Sequence, residues 1–144
     1  DIDRKANANK KLWFCGHSLG AAMATIMASR CHLYENINTI EELYTYGSPR
    51  VGWKKYCNSL GVTHHRWVNN NDIVTRVPLA AMGYKHHGQE HYMNAYGNVR
   101  KLTTWQRIKD RWRGMYMGIK QGSIDNFSDH SMVNYISNLE KMEG

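Results

Sequence analysis

The segment GHSLG at residues 16–20 constrains the fold of this 144-residue chain more than any other feature of its sequence. It follows the apolar run KLWFC at 11–15, which is typical of a buried parallel strand, and it opens a predicted helix over 19–34. A sharp turn from a strand into a helix brings the two elements close together, so the residues beside it must be very small, as Gly16 and Gly20 are. The segment therefore predicts a helix packed closely on a parallel sheet, which is an α/β architecture.

Strand and helix signals continue to alternate along the chain. The further elements are predicted in this order: a strand at 42–46, a helix at 51–60, a strand at 64–68, a β-hairpin over 83–99 with its turn near 94–97, and helices at 104–119 and 131–142. The alternation over the first 70 residues indicates a mostly parallel sheet with flanking helices. On the first helix the larger apolar residues are predicted to share one face, and they are Leu19, Met23, Ile26, Met27 and Leu33.

Composition and length exclude several kinds of protein. With 42% apolar and 22% charged residues, the chain has the mix of a folded globular domain rather than that of a disordered protein. No stretch of 18 apolar residues occurs, and the opening DIDRKANANKK lacks the apolar region of a signal peptide. Cys15, Cys31 and Cys57 do not have the spacing of a metal site, so we expect them to be small buried hydrophobic residues.

Ser18 is the candidate nucleophile. It occupies the centre of a G-x-S-x-G turn after an apolar strand and before a long helix, the context that exposes a reactive serine at the edge of a sheet. The N-terminus of that helix directs backbone N–H groups towards a developing anion, and the Leu19 N–H is the predicted first oxyanion donor. A phosphate-binding loop is the other use of such a turn, but the patterns G-x-G-x-x-G and G-K-[ST] are absent from it.

A serine hydroxyl needs a base, and the base needs a group that orients it. In an α/β fold with the chain order serine, acid, histidine, His130 is the candidate base because it lies on a loop before the last predicted helix. Asp72 is the candidate acid, because it follows the strand at 64–68 at the sheet edge where ligand chemistry collects. Asp125 and Asp129 compete for this role, although Asp129 adjoins His130 and would reach its imidazole with difficulty.

Five blocks of sequence make the chain resemble the C-terminal part of the class 3 lipase family. They follow the family's order and run through nearly all of the chain after residue 10: GHSLGAA at 16–22, YTYGSPRVG at 44–52, RWVNNNDIVTRVP at 66–78, GYKHHG at 83–88 and DHSMVNYISNL at 129–139. The resemblance implies the C-terminal half of an α/β-hydrolase fold, with a mostly parallel sheet and flanking helices.

The resemblance also implies a function. It implies a serine hydrolase of the lipase and esterase type that cleaves carboxylic ester bonds of acylglycerols or related lipids through an acyl-enzyme intermediate. Ser18, Asp72 and His130 would form its triad, and Leu19 would belong to its oxyanion hole. No metal or organic cofactor is expected. The expected partner is a lipid or ester substrate, met at a lipid–water interface, with no nucleic acid and no transmembrane segment, and secretion is favoured by the resemblance alone.

Family members carry several strands before the serine turn, including one whose loop supplies the second oxyanion donor. This chain starts just before that turn, so we expect residues 1–10 to be a linker from a missing upstream segment and residues 11–144 to be an incomplete catalytic region. The expected consequences are weak activity and association, either with that segment or between copies of the chain, because the first strand would present an unpaired edge.

Residues 87–91 read His-Gly-Gln-Glu-His, an H-x-x-E-H pattern that marks some zinc metallopeptidases. Zinc binding by His87 and His91, with Glu90 beside them, would need both histidines on one face of a helix. The glycines and tyrosines around them favour strands, on which the two histidines would lie about 13 Å apart. A zinc peptidase is therefore the remote alternative function.

The other alternative is a non-catalytic or weakly active chain that binds a lipid surface. Residues 100–120 hold seven basic side chains and one acid, and Trp105 and Trp112 lie among them, as in an amphipathic helix on anionic lipid. The helix at 104–119 would then be the binding element. The same helix could equally pack its tryptophans on the core and leave a solvated basic face, or face a nucleic acid, although no nucleic-acid reader motif accompanies it.

Overall fold

The computed structural model describes residues 10–33, 40–70, 72–94, 98–99, 103, 105–106, 109 and 130–143. Within these ranges the elements follow one another as β1 Leu12–His17, α1 Leu19–Leu33, β2 Ile40–Tyr46, β3 Gly52–Trp53, α2 Lys54–Ser59, β4 Thr63–Asn69, β5 Tyr84–Lys85, β6 Gln89–Met93 and α3 Met132–Glu143. Short 3₁₀ turns at Val74–Arg76 and Ala80–Met82 lie between β4 and β5. Of the predicted linker at 1–10, residues 1–9 lie outside the described ranges.

Four strands form one parallel sheet in the order β1-β2-β4-β6. At the carboxyl end of this sheet His17 pairs with Tyr46, and Tyr46 pairs with Trp67. Because these strands run in the same direction, the residues that follow β1, β2 and β4 meet at one edge of the sheet. The predicted α/β architecture, a mostly parallel sheet with flanking helices, is confirmed.

The first helix packs on β1 and β2 through its small residues. Its buried residues are Ala21, Thr25, Ala28, Ser29 and Cys31. The larger apolar residues that we predicted to share one face are exposed, at 70% for Leu19, 63% for Met23, 46% for Ile26, 40% for Met27 and 41% for Leu33. That face therefore does not point into the core. The reason is steric, because a helix that begins two residues after a strand approaches the sheet too closely for large side chains.

The core of the described residues is small and lies between α1 and the sheet. Ala28, Leu43 and Val62 are its buried centre. The side chains packed against that centre are Phe14, Ala24 and Ile40. No helix among the described residues combines the length and the apolar character needed to span a bilayer.

The strands within residues 83–99 do not pair with each other as the predicted hairpin requires. β5 pairs antiparallel with β3 in a separate two-stranded sheet, whereas β6 joins the main sheet parallel to β4. Gly88 lies between the two strands and has φ 86°. A Cβ there would lie 2.5 Å from the carbonyl oxygen of His64. The chain can therefore turn from one sheet to the other at this residue. An antiparallel bridge does join Met93 to Val99 around the predicted turn.

Candidate active site

Ser18 occupies the turn between β1 and α1 in a conformation that residues with a Cβ seldom adopt. Its φ is 56°, in the left-handed region. The turn is held by the Ser18 N–H, which donates to the Tyr46 carbonyl at 3.0 Å, and by the Ser18 carbonyl, which accepts from Ala21 N–H at 3.0 Å. A Cβ at Gly16 would lie 2.4 Å from the Gly20 carbonyl oxygen, but a Cβ at Gly20 would meet nothing within 4 Å. Of these two glycines, only Gly16 has no room for a side chain.

His130 bridges Ser18 and Asp72. Its Nε2 lies 2.6 Å from Ser18 Oγ, and its Nδ1 lies 3.0 Å from each carboxylate oxygen of Asp72. A carboxylate only accepts hydrogen bonds, so Nδ1–H donates to Asp72 and Nε2 is left to accept from the serine hydroxyl. The structure thus brings together the three residues that the sequence predicts as nucleophile, base and acid, and their roles remain a prediction.

The Asp72 carboxyl group is completely buried and has several hydrogen-bond donors. Oδ1 accepts from the Val74 N–H at 2.9 Å, and Oδ2 accepts from the Tyr135 hydroxyl at 2.7 Å. The Thr75 hydroxyl donates to the Asp72 backbone carbonyl at 2.8 Å. A buried carboxylate is costly unless it is hydrogen-bonded, so this set of donors keeps Asp72 in one orientation towards His130.

Tyr135 is a residue of the site that the sequence analysis missed. Its side chain is fully buried in α3, and its hydroxyl accepts from the Asn69 N–H at 3.0 Å while donating to Asp72. It thereby ties the last helix to the end of β4 and to the acid. The sequence signal was its place five residues after His130 in the block DHSMVNYISNL, which we used only for the family resemblance.

Gly47 is the second residue missed, because we considered it only as part of the block YTYGSPRVG. It has φ 59°, and a Cβ there would lie 2.7 Å from Asp72 Oδ2 and 3.0 Å from His130 Nδ1. Its N–H donates to the Trp67 carbonyl at 3.1 Å. A glycine directly after β2, at the carboxyl edge of the sheet, was the signal available. Its lack of a side chain makes room for the contact between Asp72 and His130.

His17 is the third residue missed, since the sequence analysis considered it only as part of the serine turn. Its Nε2 lies 2.6 Å from the main-chain carbonyl oxygen of His130. The two imidazoles are stacked, with ring centroids 4.7 Å apart. His17 also meets the ring of Tyr135 edge-on at 5.9 Å. It therefore contacts the candidate base and the residue that holds the candidate acid.

Leu19, the predicted oxyanion donor, is the first residue of α1. The first N–H groups of a helix have no acceptor within the helix, so such a group is available to a ligand. The side chain of Leu19 points away from the core. The competing acids Asp125 and Asp129 lie outside the described residues.

The H-x-x-E-H pattern does not bring its two histidines together as a metal site requires, and the zinc alternative is unsupported. His91 contacts His65 at 3.0 Å, whereas His87 contacts His64 at 3.2 Å. His64 and His65 are consecutive in β4, so their side chains point to opposite faces of the sheet, and the two histidines of the pattern are separated with them. Glu90 pairs with Arg66 at 2.8 Å. Within the described ranges, no group of three or more histidine, cysteine or acidic side chains is arranged to hold a metal ion.

His64 and His87 form part of a hydrogen-bonded chain on the inner face of the sheet. Their Nδ1 atoms are 3.2 Å apart, His87 Nε2 lies 3.0 Å from the Leu60 carbonyl, and His64 Nε2 lies 2.8 Å from Thr45 Oγ1. Because a carbonyl only accepts, His87 Nε2 carries the proton and its Nδ1 accepts from His64 Nδ1–H. His64 Nε2 is then left to accept from the Thr45 hydroxyl. With both imidazoles neutral, each hydrogen bond of this chain has one donor and one acceptor.

Burial favours the neutral form of these histidines. It lowers the pKa of His64 to about 3, and the charges of His87 and Arg66 act in the same direction. It lowers the pKa of His86 to about 4, with Arg66 contributing, although the hydrogen bond to the Thr75 carbonyl at 2.7 Å opposes the shift. Burial also lowers the pKa of His87. None of these imidazoles contacts Ser18, so they belong to the scaffold beside the site.

The predicted basic helix at 104–119 lies largely outside the described residues. Of its members Trp105, Gln106 and Lys109 are described and exposed, and the Lys109 ammonium lies 5.8 Å from the centre of the Trp105 ring. Trp105 is 66% exposed, so it does not pack on the core as one interpretation of the helix supposed.

The cysteine prediction is confirmed for two residues and wrong for the third. Cys31 and Cys57 are buried, but Cys15 is exposed. Among the described strands β1 pairs only with β2, and the alternate residues Trp13 and Cys15 both point to its exposed face. The apolar run KLWFC was interpreted as buried on both faces, whereas only one face is covered by the described part of the chain.

The sequence matches the model of the family described as lipase (class 3) over residues 2–82. One relative, the secreted mono- and diacylglycerol lipase A of Penicillium cyclopium, is 36% identical over 107 residues, which cover 72% of this chain and 34% of the relative. The chain thus spans about a third of that relative's length.

Two solved structures agree with the sequence comparison. A lipase from Rhizopus microsporus var. chinensis superposes with a TM-score of 0.57 at 34% identity, covering 62% of this chain and 33% of the lipase. A triacylglycerol lipase whose catalytic centre is a serine protease triad superposes with a TM-score of 0.53 at 37% identity, covering 62% of this chain and 36% of the other. At this identity and coverage, the fold of the matched region is that of the α/β-hydrolase lipases.

Proposed function

The chain belongs to the class 3 lipase family, and on that premise we propose that the protein carrying it hydrolyses carboxylic ester bonds of acylglycerols through a serine nucleophile. The observation that carries the proposal is the 2.6 Å contact between His130 Nε2 and Ser18 Oγ, made while Nδ1 faces the buried Asp72. An imidazole held in this tautomer offers its free nitrogen to the serine hydroxyl, which is the geometry that general-base activation requires.

In the proposed first step, Ser18 Oγ bonds to the ester carbonyl carbon while His130 Nε2 takes the hydroxyl proton. The carbonyl π-bond opens, and its electron pair moves to the oxygen. Asp72 stabilises the imidazolium that forms, without accepting its proton. When the tetrahedral intermediate collapses, the bond to the alcohol oxygen breaks, and His130 returns the proton to that oxygen. The acyl group is then bound to Ser18, and the free alcohol leaves.

In the second step, water replaces the alcohol. His130 takes a proton from the water, whose oxygen attacks the acyl carbon, and the same proton is returned to Ser18 Oγ as the carboxylic acid departs. The Leu19 N–H at the start of α1 is the proposed donor to the oxyanion in both intermediates. Its helix adds a favourable partial charge to that donor. One donor of this kind contributes about 10²–10³-fold to kcat in well-studied hydrolases.

The substrate class and location are supported by the relatives. The Penicillium cyclopium relative is a secreted lipase of mono- and diacylglycerols, and one of the solved neighbours is a triacylglycerol lipase. These names support an acylglycerol substrate and secretion of the protein that carries this chain.

The test is hydrolysis of a series of mono-, di- and triacylglycerols by the protein and by its Ser18→Ala variant, followed by labelling with a serine-directed phosphonate. We expect the variant to lose about 10³-fold or more of the activity, because triad members act as a unit. The phosphonate should label the wild type at Ser18. Activity or labelling that survives the substitution would show that another residue is the nucleophile.

A further inference from the structure

His17, the residue before the candidate nucleophile, contacts the loop that carries the candidate base. Its Nε2 lies 2.6 Å from the main-chain carbonyl oxygen of His130. A carbonyl oxygen only accepts, so His17 Nε2 carries a proton and donates it. We propose that His17 is a positioning residue, which holds the main chain of His130 and thereby aims its imidazole at Ser18. This inference rests on the proposed function, because it takes His130 as the base.

Among the described residues, three side chains hold His130, one from beyond β4 and two from the end of β1 and the turn after it. Asp72 contacts Nδ1 from the end of β4, and Ser18 contacts Nε2 from the turn after β1. Both of these contacts are made to the ring. The contact from His17 is made to the backbone, so it fixes the point from which the ring projects. Because His17 and Ser18 are consecutive, the same turn fixes the nucleophile and the base relative to each other.

The ring of His17 has a second set of contacts, which are separate from its donor. It stacks on the His130 imidazole with centroids 4.7 Å apart and planes inclined at 29°. It also meets the Tyr135 ring edge-on at 5.9 Å, and Tyr135 is the residue that donates to the Asp72 carboxylate. The donor and the ring of His17 can therefore be removed independently, and each removal has a different expected effect.

The stack also restricts the charge that His17 can carry during the reaction. His130 becomes an imidazolium when it takes the serine proton. A neutral ring 4.7 Å away can face that cation favourably, whereas a second imidazolium at that distance would repel it. A neutral His17 ring with its proton on Nε2 donates to the His130 carbonyl and faces the His130 imidazolium without charge repulsion.

Two substitutions separate the donor from the ring. His17→Gln places an amide N–H at about the reach of Nε2 and removes the ring, and His17→Phe keeps a ring and removes the donor. His91→Phe is the matched control, because His91 is also a stacked imidazole, with its ring 4.6 Å from that of Trp67, and it makes no contact with the triad. Circular dichroism of each variant establishes that the fold is retained.

We expect His17→Phe to lower kcat on a soluble ester at least about tenfold while KM changes by less than about twofold. The reason is that misplacement of a reacting group by about 1 Å can cost as much as 10²-fold. His17→Gln should retain most of kcat, because it restores the hydrogen bond to the carbonyl. His91→Phe should retain the wild-type kcat. Wild-type kcat in His17→Phe, or equal losses in His17→Phe and His17→Gln, would overturn the proposal.

A second measurement tests the positioning without reference to activity. The proton that His130 Nδ1 shares with Asp72 gives a downfield ¹H resonance, which can be assigned by its loss in Asp72→Asn. We expect this resonance to broaden or disappear in His17→Phe and to persist in His17→Gln, and an unchanged resonance in His17→Phe would overturn the inference. Failure of the proposed function looks different, since a wild-type protein without phosphonate labelling or ester hydrolysis would leave this ¹H comparison intact.

Discussion

Gly47 and Asp72 are so close that no side-chain atom fits between them. A Cβ on Gly47 would lie 2.7 Å from Asp72 Oδ2, which is closer than real Cβ contacts come. The carboxylate that would be struck is fully buried and cannot withdraw into solvent. Gly47→Ala should therefore displace Asp72 or His130 and lower kcat by about 10²-fold, as expected for a misplaced reacting group. Steady-state hydrolysis of a soluble ester measures this.

Gly83→Ala is the control for that substitution. Gly83 also has a positive φ, of 85°, but a Cβ there would meet nothing within 4 Å. Both variants carry the backbone strain of alanine in the left-handed region, about 1–3 kcal/mol, and only one of them strikes the candidate triad. We expect Gly83→Ala to lose stability and keep its kcat. Equal losses of kcat in the two variants would attribute the effect to backbone strain.

Tyr135→Phe removes one hydroxyl that contacts both Asp72 and the backbone of Asn69. Loss of these buried hydrogen bonds should lower the free energy of unfolding by about 1–3 kcal/mol. Because Asp72 also loses one of its orienting donors, kcat should fall about tenfold. Urea unfolding and ester hydrolysis on the same samples measure the two effects.

Tyr92→Phe gives a matched comparison with Tyr135→Phe. The Tyr92 hydroxyl is buried and donates to Asn70 Oδ1 at 2.7 Å. It does not contact Asp72 or His130. We expect a similar loss of stability with the wild-type kcat. If Tyr92→Phe lowered kcat as much as Tyr135→Phe, the effect of Tyr135 would be one of general stability rather than of orientation of Asp72.

Asp72→Asn tests the choice of acid. The amide keeps the shape of the side chain but cannot hold the imidazole in the tautomer that leaves Nε2 free, so the rate should fall by as much as about 10⁴-fold while the protein stays folded. The measurement is kcat/KM beside a circular dichroism spectrum. Asp125→Asn and Asp129→Asn are the comparisons, and a loss of that size in either of them with an active Asp72→Asn would move the role of acid to that residue.

The sequence was sufficient for the parallel sheet and for the three candidate residues, because both depend on local patterns. A strand, a glycine-rich turn and a helix define the place of Ser18, and the ends of parallel strands must meet at one edge. Asp72 follows the end of β4, and His130 lies directly before the last helix. The residues that hold them could not be found in this way. Tyr135 is 63 residues from Asp72, so their contact depends on how the last helix docks.

The orientation of the first helix shows the other limit. Periodicity located a face of large apolar residues on α1, but it does not state which side of a helix meets the sheet. Burial of these large residues against the sheet would remove more apolar surface from water. The turn at Ser18 brings α1 too close to β1 and β2 for that, and Ala21 and Ala28 occupy the contact instead. The short distance between helix and sheet, which the turn imposes, therefore decides which side chains lie between them.

The buried histidines predict how stability depends on pH. In an unfolded chain a histidine has a pKa near 6.5, and burial lowers the pKa of His64 to about 3 and that of His86 to about 4. Below pH 6.5 the unfolded state therefore binds more protons than the folded state. By linkage, stability falls as the pH falls through the window from about 6.5 down to these lowered values, and it is fully present above 6.5.

Urea unfolding between pH 7.5 and 4.5 measures this loss of unfolding free energy. Each of the two histidines should contribute on the order of 1.4 kcal/mol per pH unit below 6.5, which gives about 2 kcal/mol at pH 5. The double variant His64→Asn and His86→Asn removes both titrating groups, so its stability should start lower and fall less steeply over the same range. His32→Asn is the matched control, because it makes the same substitution at a histidine that is exposed on α1. The quantity compared is the slope of the free energy of unfolding against pH. The carboxylates are the same in all three proteins, so they contribute equally to each slope. A double variant with the wild-type slope would mean that His64 and His86 are protonated in the folded protein, and it would contradict the neutral chain from Thr45 to Leu60.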